Sequence, residues 1–72
     1  MKKVFKMRDL DCANCAAKME NAVAKLDGVE QVTISFMSQK MTLQAPDDQF
    51  ERLLGQAVKI CKKIEPDCEI LV

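Results

Sequence analysis

Histidine is absent from this 72-residue chain, and so are tryptophan and tyrosine. Without an imidazole there is no His-dependent catalysis and no nitrogen side-chain ligand for a metal. A net charge is missing too. Eleven Lys and Arg balance eleven Asp and Glu, which argues against broad electrostatic attraction to nucleic acid or a membrane surface. No apolar run approaches the roughly 20 residues that span a bilayer. The start does not read as a signal peptide, because Lys6, Arg8 and Asp9 interrupt Val4 to Leu10. No repeat, low-complexity stretch or linker divides the chain, so one small domain over residues 1–72 is expected.

What the chain does have is sulfur: Cys12, Cys15, Cys61 and Cys68. Two disulfides would suit a secreted scaffold, but no export signal is present and Cys12 and Cys15 are too close to staple a fold usefully. The intracellular reading is a thiol pair for metal or redox work. Cys61 and Cys68 do not repeat the CxxC spacing, so a four-cysteine zinc ribbon does not follow.

Hydrophobic periodicity sets the elements. Residues 2–10 alternate, with Phe5 and Met7 on one face and Lys6 and Arg8 on the other, as in a half-buried strand. Over 13–26 the period changes: Ala16, Met19, Val23 and Leu26 form the stripe of an amphipathic helix, and Asp27-Gly28 ends it. Residues 29–36 and 40–45 alternate again, around a turn at Met37-Ser38-Gln39. Pro46-Asp47-Asp48 predicts a helix start with an acidic N-cap. Phe50, Leu53, Leu54, Ala57, Cys61 and Ile64 then form an apolar stripe to about Lys63, with Gly55 a weak point. After Pro66, Cys68, Ile70 and Val72 share one face of a last strand. The order is β-α-β-β-α-β, which predicts an α+β, ferredoxin-like sandwich: a four-stranded antiparallel sheet with two helices on one face. That topology brings Cys12, Cys15, Cys68 and the turn with Met37 to one edge.

Asp11-Cys12-Ala13-Asn14-Cys15 lies where a strand hands over to a helix. Unpaired backbone N–H groups and the positive end of the helix dipole favour anions there. Both thiols are therefore expected to ionise more readily than a free cysteine, and the spacing lets both sulfurs meet one ion. Asp11 reads equally as an N-cap and as a metal ligand. Cys61 reads as core, as do Met7, Met19 and Met41. Lys18, Lys25, Lys62 and Lys63 read as solvated faces.

The run Phe5-x-Met7-x-x-Leu10-Asp11-Cys12-Ala13-Asn14-Cys15-Ala16, the exit Leu26-Asp27-Gly28-Val29 and the strand Val32-x-Ile34 resemble the heavy-metal-associated domain. That family comprises small metallochaperones and the cytosolic N-terminal domains of metal-pumping P-type ATPases. The resemblance covers essentially the whole chain and implies metal binding by Cys12 and Cys15. Three positions depart from the family pattern. Asp9-Leu10 stands where Gly-Met is usual. Asp67-Cys68 replaces a Gly-Tyr, Gly-Phe or Lys before the last strand. Asp11 replaces the Thr or Ser of copper members, and Asp-Cys-x-x-Cys is similar to the motif of zinc, cadmium and lead exporters.

Charge points the same way. Two thiolates neutralise a divalent ion but leave Cu(I) at −1, and Asp11 would take the copper site to −2. A divalent ion still wants two more donors, which Asp11 and Cys68 can supply. Cadmium and lead gain more than zinc from a third sulfur. The expected cargo is Zn(II) or Cd(II), with Pb(II) also accepted, and the expected site is Cys12, Cys15, Asp11 and Cys68. The alternatives are a Cu(I) metallochaperone and a mercury-binding domain. A thiol–disulfide oxidoreductase is a further alternative, disfavoured because neither an aromatic residue nor proline neighbours Cys12. The expected role is delivery or regulation rather than catalysis. The expected partner is a metal-transporting P-type ATPase or another carrier domain, and the expected setting is the cytoplasm or the cytosolic face of a membrane.

Overall fold

The computed structural model describes residues 1–71. It contains β1 (Lys2–Arg8), α1 (Ala13–Ala24), β2 (Gln31–Ser35), β3 (Lys40–Gln44), α2 (Phe50–Ile64) and β4 (Glu69–Leu71). The sheet order is β2-β3-β1-β4, and every neighbouring pair is antiparallel. This is the ferredoxin-like arrangement the periodicities predict.

The alternation sorts each strand into two faces. Met7, Val32, Ile34, Met41, Leu43 and Ile70 turn inward and are buried. They meet Ala16, Met19 and Val23 of α1 and Phe50, Leu53, Ala57 and Cys61 of α2. Phe5 and Phe50 pack with ring centroids 6.3 Å apart. On the opposite face of the sheet Val4 stays exposed. Val72, expected on the inward face of the last strand, lies outside the described residues.

Element ends depart from the periodicity in instructive ways. β1 stops at Arg8 rather than Leu10, because Asp9 turns left-handed at φ 62°. Asp tolerates that conformation better than most side chains. α2 begins at Phe50, after Gln49, whose side chain makes no capping bond. Asp47 is no N-cap: its carboxylate pairs with the N-terminal ammonium at 2.9 Å. α1 ends at Ala24 with Lys25 as a right-handed C-cap, earlier than the Asp27-Gly28 exit expected. Gly28, at φ 104°, serves the turn that follows, closed by the Val29 N–H on the Leu26 carbonyl, and a Cβ there would run into the Gln49 side chain. Glu20, on α1, accepts the Ile34 N–H at 2.8 Å and so fastens the helix to edge strand β2.

The register gathers the chemistry at one end of the sheet. Lys6 pairs with Lys40, so the end of β1 lies beside the β2–β3 turn. Arg8 pairs with Glu69, so it also lies beside the start of β4. The CxxC loop, the β2–β3 turn and the loop from α2 to β4 therefore share an end. No helix among the described residues is long and apolar enough to cross a membrane.

Candidate metal centre

Cys12 leaves the loop with extended backbone (φ −128°, ψ 117°) and is itself the N-cap of α1. Its Sγ accepts the Cys15 N–H at 3.2 Å, so sulfur occupies the place usually taken by a Ser or Asp oxygen. Asp11 does not cap the helix; it stands exposed one residue earlier. Cys15 lies in the first turn, half-buried against the core. All four cysteines are free thiols.

Geometry separates the two motif sulfurs. The Cys15 thiol, and then the backbone N–H groups of Cys15 and Asn14, favour the Cys12 thiolate and lower its pKa against the opposing effects of burial and Glu65. Cys15 is instead pushed up to about 11, first by its hydrogen bond to Cys12, then by burial and by the charges of Cys12 and Glu65, with Lys18 opposing. The expectation that both thiols ionise easily is thus corrected for Cys15. One helix terminus stabilises one thiolate, and the neighbouring sulfur is the harder of the two to ionise.

Glu65 is a residue that the sequence pattern does not mark. It is the C-cap of α2, half-buried, and its Oε2 accepts the Cys15 thiol in a long contact of 3.8 Å. Its N–H donates to the Cys61 carbonyl, and its own carbonyl accepts the Cys68 N–H at 3.0 Å. That turn places a carboxylate beside Cys15 and sends Cys68 inward. Its only sequence signal is an acid just before Pro66, and its approach to Cys15 spans 50 residues.

Cys68 is buried, with 1 % of its surface exposed. Burial, then Glu65 and Asp9, push its pKa up; Lys62 opposes them and Asp11 adds to them. Among the described residues no three Cys, Asp or Glu side chains converge into a ready-made metal cage. Cys12 and Cys15 are adjacent and Glu65 reaches Cys15, while Asp11 precedes Cys12 at an exposed position. Cys61 is core, as are Met7, Met19 and Met41, whereas Met37 is 91 % exposed on the β2–β3 turn.

Known proteins resemble this chain in sequence and in fold. The chain is 46% identical over 44 residues to a zinc/cadmium/lead-transporting P-type ATPase of Escherichia coli (strain K12), covering 61% of this chain and 6% of that protein. It therefore spans a small part of that relative. It is 30% identical over 64 residues to the copper chaperone CopZ of Enterococcus hirae, covering 89% of this chain and 86% of the chaperone. The solution structure of the N-terminal domain of ZntA in the apo-form superposes with a TM-score of 0.73 at 31% identity, covering 99% of this chain and 92% of that one. A sequence model of the heavy-metal-associated domain matches residues 4–67, a stretch that holds the CxxC loop, both helices and the Glu65 turn. The fold and the match over most of its length together place the chain in the heavy-metal-associated domain family, whose members bind heavy-metal ions.

Proposed function

We propose that this domain binds Zn(II) or Cd(II), and accepts Pb(II), through Cys12 and Cys15, and passes the ion by ligand exchange to or within a metal-transporting P-type ATPase on the cytosolic side of a membrane. The observation that carries this reading is the Glu65 carboxylate 3.8 Å from the Cys15 sulfur. Asp11, exposed and next to Cys12 in the chain, offers the thiolate pair a second carboxylate. Two thiolates and one carboxylate leave a divalent ion at −1 and Cu(I) at −2, in a place where uncompensated charge is costly. Oxygen donors complete a zinc or cadmium coordination shell, whereas Cu(I) gains little from them. The third donor is sought among Asp11, Glu65 and Cys68, of which Cys68 must leave the core to reach the ion.

The test is X-ray absorption on the reduced domain loaded with one equivalent of Zn(II) and then of Cd(II). Glu65→Gln, Asp11→Asn and Cys68→Ser are compared with the wild type. Two sulfurs with oxygen neighbours at about 2.0–2.2 Å from zinc, and a weaker Cd(II) affinity in a carboxylate variant, support the reading. Three sulfurs bring Cys68 into the site and favour cadmium or lead over zinc. Equal losses of Cd(II) and Cu(I) affinity in the carboxylate variants sink the charge argument.

A second reading, a Cu(I) carrier, is favoured by one finding: the chain covers 86% of the copper chaperone CopZ it resembles. Failure to bind Zn(II) stoichiometrically would make that reading the leading one.

A further inference from the structure

The β1–β3 ladder gives out before the metal loop begins. Its last pair is Lys6 with Lys40, and one more backbone bond runs from the Met7 N–H to the Gln39 carbonyl at 2.7 Å. Beyond that point the Gln39 side chain takes over. Its Oε1 accepts the Leu10 N–H at 3.1 Å, and its Nε2 donates to the Leu10 carbonyl at 2.7 Å and to the Phe36 carbonyl at 2.9 Å. A side-chain amide carries the same donor and acceptor as a peptide group. Gln39 therefore offers Leu10 what one further residue of strand would offer, from 29 positions away.

The surroundings make this more than a turn contact. Gln39 holds φ 56°, a handedness uncommon outside glycine and costly to maintain. Leu10 is 1 % exposed, so its backbone groups have little access to water if the amide is lost. Asp9, on the other side of Leu10, is also left-handed. Two residues after Leu10 comes Cys12, whose sulfur caps α1. The path from β1 to the first motif sulfur is thus fixed by one amide on another loop.

We infer that Gln39 is a positioning residue for the metal centre: by clamping Leu10 it holds the Cys12 sulfur in place and slows release of the ion. Ligand exchange needs one sulfur to swing away from the metal, and the clamp opposes that swing. A loop ordered before binding also pays less entropy on binding, so affinity rises with it. This rests on the reading that Cys12 and Cys15 hold the ion.

The test compares wild type, Gln39→Ala and Gln39→Glu, which keeps the length but loses both donors. Val32→Ala is the control; it cuts a cavity under β2 and leaves the clamp intact. Three quantities are measured: amide hydrogen exchange of Leu10 in the apo domain, the rate at which Cd(II) leaves the loaded domain for an excess of chelator, and the urea midpoint. Gln39→Ala, which removes the acceptor of the Leu10 N–H, should speed Leu10 exchange, and both Gln39 variants should raise the Cd(II) release rate and Kd, by about 10-fold as for other groups that orient metal ligands. Val32→Ala should lose stability and keep the wild-type release rate. Unchanged Leu10 exchange in Gln39→Ala, or release rates that merely follow the urea midpoint across all variants, would overturn the inference. A wild-type domain that takes up no Cd(II) overturns the metal reading and the inference with it. Wild-type binding alongside unaltered Gln39 variants overturns the inference alone.

Discussion

The two motif cysteines differ before any ion arrives. Cys12 is held toward the thiolate by hydrogen bonds, while Cys15 keeps its proton up to about pH 11. A metal must bind both as thiolates, so loading near neutral pH expels the Cys15 proton. Cd(II) affinity should therefore rise about tenfold per pH unit over the range between the lowered Cys12 pKa and the raised Cys15 pKa, and more steeply below it. Chelator competition across that range, with calorimetry in buffers of different ionisation enthalpy, should count about one proton released per ion. A flat profile would mean that Cys15 is already ionised in the apo domain. The sequence could not foretell this asymmetry. It identified the CxxC pair and its helix terminus, but an acid followed by a cysteine leaves open which side chain caps the helix. Here sulfur does so, and Asp11 is left free.

At the scale of elements, the strands and helices were legible because their apolar residues keep periods of two and about 3.6. Their ends were less legible: Gly28 at φ 104° marks the turn after α1, but the helix itself stops earlier, at Ala24. β1 ends early through Asp9 and through Gln39, and a contact across 29 residues leaves no mark in a local pattern. The Glu65 turn was hidden for the same reason. Gly55 offers a test on α2. A methyl group added to its Cα would meet nothing within 4 Å, and its backbone is ordinary helix. Gly55→Ala should raise stability by about 0.5–1 kcal/mol, since alanine restricts the unfolded chain and costs nothing in packing. Urea unfolding would show this as a higher midpoint at unchanged slope. A lower midpoint would mean that this stretch of α2 needs glycine's freedom.

For the whole molecule, the buried thiols set a limit at high pH. Burial, and then the charge of Cys68, push Cys61 from 9.0 up to about 12, and Cys68 is raised as well. Above pH 9 the unfolded chain gives up these protons while the folded chain keeps them. The resulting stabilisation is complete below about pH 9 and is lost as the pH rises toward 12. Urea midpoints should therefore fall through that range, and Cys61→Ala, although less stable at neutral pH, should show a shallower fall. Equal slopes would place the alkaline sensitivity elsewhere. At the rim of the sheet, the Glu20 carboxylate on the Ile34 N–H has a consequence for crowded solutions. An outer strand invites a stranger's backbone to continue the ladder, and repetition of that event builds fibrils. Glu20 occupies one of the donors such an intruder would need and sets a negative charge in its path, which makes this edge of the sheet a poorer template for another copy.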